Sequence, residues 1–325
     1  MKSIKIYLSL IISLVLFASC EKDVEFKGTM TKSVLVVNSF VSPDSIVSAN
    51  VSESKFFLEE ESTITGIENA TVSVYVNGTF KEKMIHLDKG NYTGTYIPTI
   101  GEIIKLVVTV PNQTDVSCED KVLTRPEIVS VDTTVTYVNN YYNVDIRYIT
   151  NNDGSKGYVY DTISKEVYSD YEFKIKMKDN GSEKNYYRLT VVRKYTYTDG
   201  TVYYGDPHIS DNIDPESYSS DPLQTEDDSN PFCIFGDDII NGKEYTMKFK
   251  LSEGTTTYFD KSLSDKTEMI IAFQQISKDY YLYLRTRAVA NEDDVFSEPV
   301  QIHCNIKNGL GVFGSYSSTV RIMRL

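Results

Sequence analysis

Apolar residues recur at every second position over much of this chain from Val34 onward. Residues 71–76 and 103–110 show the pattern most clearly, since Val, Ile and Leu alternate there with Thr, Ser and Lys. A period of two places successive side chains on opposite faces of an extended strand, whereas a helix would require a period near 3.6. The sequence therefore predicts a mostly β protein.

Residues 32–124 contain about seven of these short segments, separated by regular turns. Asn77-Gly78 lies between Tyr75-Val76 and Thr79-Phe80, and Asn-Gly at such a position favours a type I′ hairpin. Short strands of even spacing with turn signals between them are typical of an immunoglobulin-like β-sandwich. We expect this fold for residues 32–124.

Arg125-Pro126 ends that unit, and alternating segments resume at residues 129–138, 144–149, 173–177 and 186–197. Asp199-Gly200 predicts another hairpin. Residues 277–289 differ, because Ser277 is a suitable helix N-cap and Tyr280, Tyr281, Leu284 and Ala288 follow helical spacing. We expect residues 125–325 to form a larger, mainly antiparallel β domain with one short helix.

Residues 205–231 carry eight acidic residues and four prolines with little apolar content, which predicts a long exposed loop. Calcium binding there is an alternative to a solvated or partner-binding loop, but the usual spacing of oxygen ligands is absent. The whole chain has 33 Lys and Arg against 46 Asp and Glu. This acidic balance excludes general binding to nucleic acid phosphates.

The N-terminus resembles a bacterial lipoprotein signal. Lys2 and Lys5 precede an uncharged stretch at residues 6–19 that is too short to span a membrane, and the segment ends in Ala18-Ser19-Cys20. We expect residues 1–19 to be removed and Cys20 to carry a thioether-linked diacylglycerol and an amide-linked acyl chain such as palmitate. More than one acyl chain is needed for stable anchoring. An ordinary secretory signal whose cysteine is coincidental is the alternative.

Residues 20–31 would then form a tether between the lipid and the first domain. Lys22, Asp23 and Glu25 resemble the signal that sends Bacteroidota lipoproteins to the outer face of the outer membrane. A merely solvated acidic segment is the alternative.

Several sequence motifs that could indicate a cofactor or metal site lack the features that such a site requires. Residues 309–314 fit Gly-x-Gly-x-x-Gly, yet a strand-like sequence follows them instead of the helix that a dinucleotide site requires. His86, His208 and His303 are widely separated and no Cys-x-x-Cys is present, so we predict no metal site, cofactor or catalytic residue. Besides Cys20, the chain has three cysteines, which are Cys118, Cys233 and Cys304. Either Cys233 and Cys304 form a disulfide, because both fall in the predicted second domain, or all three are unpaired thiols.

The C-terminal half carries landmarks of a known family: Asn185-Tyr186-Tyr187-Arg188, Asp237-Asp238, Ser277-Lys278-Asp279-Tyr280-Tyr281 and the block at residues 305–314. Together they resemble the Bacteroidota lipoproteins of domain of unknown function 4249. That resemblance implies an outer-membrane lipoprotein, often encoded beside a TonB-dependent receptor, and it implies no catalytic residues.

We therefore expect a non-catalytic binding or accessory lipoprotein, anchored to the outer membrane and exposed on the cell surface, that works with a TonB-dependent receptor in substrate capture or uptake. A structural or adhesive surface module is the alternative, and an enzyme ranks third.

Overall fold

The structure is a computed structural model, and it describes residues 33–55, 65–197, 199–205, 209–210, 233–238, 240–258, 266–290 and 300–324. The first eight strands are β1 (Leu35–Val41), β2 (Ser48–Glu53), β3 (Thr71–Val76), β4 (Thr79–Lys83), β5 (Ile85–His86), β6 (Asn91–Thr93), β7 (Ile103–Thr109) and β8 (Val116–Lys121). They are followed by β9 (Glu127–Thr150), β10 (Lys156–Lys178), β11 (Tyr186–Thr196), β12 (Val202–Gly205), β13 (Ile209–Ser210), β14 (Ile234–Gly236), β15 (Glu244–Tyr258), β16 (Lys266–Ile276), the helix α1 (Lys278–Ala290) and β17 (Leu310–Arg324).

The first eight strands form a two-sheet sandwich. One sheet has the order β1-β2-β6-β5 and the other has the order β4-β3-β7-β8. These are the ABED and C′CFG sheets of the immunoglobulin fold. The predicted fold is therefore confirmed in topology as well as in class.

The alternation of apolar and polar residues along the strands explains which side chains form the core of this sandwich. Val37, Val51, Val72 and Leu106 are fully buried between the sheets, while the residues between them point outward. Asn77 and Gly78 have φ of 50° and 80°, as the two central positions of a type I′ turn require. The sequence prediction of that hairpin is confirmed.

A second sandwich follows, in which β12-β11-β16-β17 with β14 face β13-β15-β10-β9. Its core contains Phe173 and Ile175 from one layer and Ile271 and Phe273 from the other, all fully buried. Over the residues that the structure describes, the expectation of a mostly β chain with antiparallel sheets and one short helix is confirmed.

Strand β17 joins the two sandwiches. It pairs antiparallel with β16 and parallel with β1, with Val37 opposite Gly311, so that one sheet of nine strands runs through both units. Ile306 and Phe313 pack into the first core. Residues that sequence reasoning assigned to the second domain thus complete the first.

Helix α1 begins where the sequence predicts. The Ser277 hydroxyl accepts a hydrogen bond from the Tyr280 backbone N–H at 3.4 Å, and the Ser277 carbonyl accepts one from Tyr281 at 2.9 Å. Tyr280, Tyr281 and Leu284 form its buried side. None of the helices that the structure describes is long and apolar enough to cross a membrane.

Candidate functional site

The β9–β10 hairpin projects past the strand that supports it. The pairing of β10 with β15 reaches its limit at Ser164 and Tyr258, whereas the pairing with β9 continues to Lys156 and Thr150. In the part of the chain that the structure describes, β9 pairs with β10 alone. We call residues 143–164 the arm, and among the described residues it is a ribbon of two strands.

One face of the arm and its base is lined by apolar and aromatic side chains. The register places Tyr148 opposite Tyr158 and Ile146 opposite Tyr160, so these four side chains point to the same side. The complete set, which we call the apolar face, is Val138, Tyr142, Val144, Ile146, Tyr148, Tyr158 and Tyr160. All seven are exposed, from 43% for Val144 to 79% for Tyr148.

As far as the structure describes the chain, the apolar face is an uncovered continuation of the second core. Following the register toward the body, the same side of the ribbon carries Tyr171, Phe173 and Ile175, and the last two are fully buried. Among the described residues, the facing layer stops earlier, because β11 ends at Thr196 and the chain turns back at Gly200 into β12. The ribbon therefore presents a core-like surface beyond the point where its cover ends.

The opposite face of the arm is charged. Asp145 lies opposite Asp161, and Arg147 binds Asp161 through its Nε at 2.7 Å. This ion pair is exposed and contributes little to stability. Both faces of the arm thus meet solvent, and the charged side chains of its strands lie on this face, beside Ile149 and Val159.

The tip of the arm is a hydrogen-bonded turn. The Asn151 N–H donates to the Ser155 carbonyl at 2.8 Å, and Gly154 takes a φ of 80°. The Asp153 carboxylate accepts hydrogen bonds from the hydroxyl and N–H of Ser155, and these hold its pKa below the ordinary value. The turn fixes the register on which the apolar face depends.

A large exposed apolar surface on a narrow ribbon requires an explanation. A two-stranded ribbon is marginally stable in water, and soluble proteins rarely leave contiguous apolar patches of several hundred Å² uncovered. Such patches mark sites of interaction with another molecule. The apolar face is therefore the candidate functional site.

The family landmarks at Asn185 and Asp237 form a different structure, a buried polar network. The Asp237 carboxylate accepts the Asn185 N–H at 2.7 Å and pairs with the Lys184 ammonium at 2.8 Å. Asp179 accepts hydrogen bonds from the Tyr187 hydroxyl at 2.5 Å and from the Gly242 N–H at 2.7 Å. These groups are engaged with one another, so the network serves to hold loops together.

The network also reaches the junction between the sandwiches. Gln275 donates to the Asn185 side-chain oxygen at 2.7 Å and accepts a hydrogen bond from the Thr124 hydroxyl at 3.2 Å. Burial beside Asp179 raises the pKa of Tyr187, so its hydroxyl stays protonated and donates. We assign this cluster a structural role.

The glycine motif at residues 309–314 is explained by packing. Gly311 has a φ of 107°, and a Cβ there would lie 2.2 Å from the Val37 carbonyl oxygen. A Cβ at Gly314 would lie 2.7 Å from the Cβ of Tyr280 on α1. The glycines let β17 approach β1 and the helix, and they lie at the start of a strand, so the dinucleotide interpretation is excluded.

Each of the two described histidines contacts a polar group of a nearby residue. His303 Nε2 lies 2.7 Å from the Asp279 carboxylate, and His86 accepts the Gly90 N–H at 3.4 Å. His208 lies outside the described residues. Within the described ranges, no three His, Cys, Asp or Glu side chains are grouped so that they could hold a metal ion.

Cys233 and Cys304 do not form a disulfide in the structure. Cys233 packs against the second core, whereas Cys304 packs against the first, and both are free thiols. The premise that both belong to one domain is wrong, because the segment leading into β17 crosses to the first sandwich. Burial raises the pKa of Cys233, and it raises that of Cys118 to about 12, which disfavours the thiolate form of both.

The remaining predicted sites lie largely outside the described residues. Cys20, Lys22, Asp23 and Glu25 are among them. Of the acidic segment at residues 205–231, the structure describes Gly205, which ends β12, and Ile209–Ser210, which pair with Leu251 and Lys250 of β15.

Comparison of the sequence with known protein families gives a match over most of the chain. A family model described as "Domain of unknown function (DUF4249)" matches residues 21–322. A search of curated proteins finds no match. A solved structure of carbohydrate-binding modules from the β-sandwich superfamily is 12% identical, with the alignment covering 73% of this chain and 99% of that one at a TM-score of 0.17. A likeness of that score supports no conclusion about ligand.

Proposed function

Because the chain belongs to the family of domain of unknown function 4249, we propose that it is a non-catalytic, lipid-anchored lipoprotein of the outer membrane that binds a partner protein. The observation that carries the binding role is the apolar face of the arm, whose seven side chains are exposed. A protruding apolar ribbon suits docking to another molecule, whereas catalysis needs convergent polar groups in a concavity.

The proposed location rests on the sequence. Cys20 follows an apolar signal segment, and the Lys22, Asp23 and Glu25 tether resembles a Bacteroidota surface-export signal. We further propose that the partner is a TonB-dependent receptor and that the complex captures or admits a substrate on the cell surface.

Anchoring predicts a clear result for Cys20→Ala, because no other residue near the cleavage point can carry the acyl chains. The variant should leave the membrane fraction, as measured by blotting after a salt wash. Replacement of Lys22, Asp23 and Glu25 by Ala should keep the anchor but remove surface exposure, as measured by proteinase K on intact cells. Sedimentation of the first variant, or equal shaving of the second, contradicts the corresponding claim.

The receptor claim is tested by purification of the native complex from detergent-solubilised outer membrane. A TonB-dependent receptor should be enriched at least tenfold over its level with an unrelated lipoprotein of the same organism. If no such receptor is enriched, the transport proposal fails.

A structural or adhesive surface module is the second candidate, and the immunoglobulin topology of β1–β8 favours it. The two candidates differ in their dependence on a receptor. Deletion of the gene for this chain should impair growth on a transported nutrient under the first proposal. Under the second, it should impair cell-to-cell or surface attachment.

A further inference from the structure

We infer that the apolar face of the arm docks onto a different protein through an apolar strip that has acidic side chains near both ends. This inference rests on the proposed binding role, and it does not depend on which outer-membrane protein is the partner. The geometry that carries it is the arrangement of tyrosines between two lysines.

The lysines mark the two ends of the face. Lys156 lies at the tip, opposite Thr150, and Lys165 lies at the base, opposite Tyr142. Between them the register places Tyr158, Tyr160 and Thr162 from β10 on this side. Along β9, from Tyr142 to Thr150, the stretch is about 26 Å long at 3.3 Å per residue. The carboxylates on the strands of the arm, Asp145 and Asp161, lie on the other face, and Asp153 binds Ser155 within the turn, so charge complementarity calls for acidic groups on the partner.

The exposed area approaches that of one side of a standard protein interface. Four tyrosines and three aliphatic side chains, exposed by 43% to 79%, offer on the order of 600–700 Å². A standard interface takes about 800 Å² from each partner. Tyrosine is enriched in such interfaces, because its ring buries apolar area while its hydroxyl stays hydrogen-bonded at the rim.

A bilayer fits the arm poorly. The ribbon is one strand layer thick, so immersion of the apolar face would bring Asp145, Arg147 and Asp161 on the reverse side toward the membrane. Charged side chains at hydrocarbon depth are costly. The tyrosine hydroxyls would also lose their water partners.

A second copy fits poorly as well. Two arms stacked face to face about a two-fold axis would place Lys156 of one near Lys165 of the other, and the chain as a whole carries a net charge of −13. Like charges at both ends disfavour that pairing. A partner with carboxylates at those positions removes the conflict.

The test is photocrosslinking in the native cell. A benzophenone amino acid replaces Tyr148 or Tyr158 on the apolar face, and Asp145 on the opposite face serves as the matched control. We expect one protein adduct from the tyrosine positions, at least tenfold stronger than from Asp145. Mass spectrometry should map it to an apolar segment of the partner with Asp or Glu within a few residues of each end.

Charge reversal provides the second arm of the test. Lys156→Glu with Lys165→Glu should weaken the adduct at least tenfold, and replacement of the partner's mapped carboxylates by Lys should restore it. The melting temperature of the purified variant should be unchanged, since Lys156 is exposed and Lys165 is half-buried.

The alternative outcomes separate the two proposals. An adduct to a second copy, a lipid or a glycan overturns the inference, as does equal labelling from both faces or no adduct at all. An adduct to a protein other than a TonB-dependent receptor leaves the inference standing and overturns the receptor proposal.

Discussion

Single residues decide whether β17 can take its place between the two sandwiches. Gly311 combines a φ of 107° with a backbone approach that leaves no room for a Cβ. Gly78 also has a positive φ, of 80°, but no atom lies within 4 Å of its absent Cβ. These two glycines separate the conformational role of glycine from its steric role.

Gly311→Ala should destabilise the chain by about 3 kcal/mol or more, because the new Cβ forces β17 away from Val37 as well as straining the backbone. Gly78→Ala should cost only about 1 kcal/mol, from backbone strain alone. Urea unfolding of both variants measures the difference. Equal losses would show that close approach at Gly311 is unimportant.

Asp120 is a second residue whose setting has a measurable consequence. Its Oδ1 accepts the Lys121 N–H at 2.8 Å, while Oδ2 is enclosed without a hydrogen-bond partner in the described structure. Burial raises the pKa of this carboxyl despite the nearby Ser277 and Ser315 hydroxyls, and repulsion from Asp279 adds to the effect.

The raised pKa predicts a pH-dependent gain for Asp120→Asn. A folded-state pKa above the ordinary 3.8 means that stability is lost as the pH rises through the folded value. The variant should therefore be more stable than the original chain at pH 7, by on the order of 1 kcal/mol. The advantage should shrink as the pH falls toward 4. Thermal unfolding across this range, with exposed Glu119→Gln as control, checks it.

At the scale of elements, local signals predicted what local physics determines. The turn at Asn77-Gly78 and the cap at Ser277 are set by residues that contact each other within a few positions, and both are confirmed. The arm was not foreseen, because residues 129–138 and 144–149 read as separate strands. The structure makes them one strand, β9.

The arm could not be predicted because the sequence does not show which face of a strand is left exposed. Tyr and Val at alternate positions predict strands equally well whether the face is covered or not. Whether it is covered depends on where the facing strand β11 ends, and this is a matter of long-range packing. The tyrosines themselves were visible in the sequence, and their exposure was not.

Removal of the arm tests its independence from the body. Replacement of residues 144–162 by a short Asn-Gly turn should change the melting temperature by less than ~3 °C, because the side chains of the apolar face there are exposed and the second core lies nearer the base. A calorimetric scan measures this. A loss of more than ~10 °C would show that the arm is needed for folding, and a role confined to docking would then be wrong.

At the scale of the whole molecule, β17 makes two sandwiches into one structure. The sequence suggested a boundary near residue 124, where Arg125-Pro126 interrupts the pattern. In the structure Arg125 binds Asp44 at 2.6 Å and the Ser318 carbonyl at 2.9 Å, so the boundary itself is a contact between the units. Parallel pairing of β1 with a strand some 270 residues later leaves no local signal in the sequence.

This topology predicts that the two sandwiches unfold together. Urea unfolding, monitored by hydrogen exchange at β2 in the first unit and at β16 in the second, should give coincident midpoints. The reason is that loss of β17 uncovers Val37 and Phe273 at once.

The fragment of residues 33–124 should be unstable alone, since it lacks Ile306 and Phe313 from its core. Fusion of residues 303–317 to that fragment through a flexible linker should restore folding. The same fusion with Gly311→Ala is the matched control and should fail. Two separate transitions in the full chain, or a stable unfused fragment, would contradict the joining role of β17.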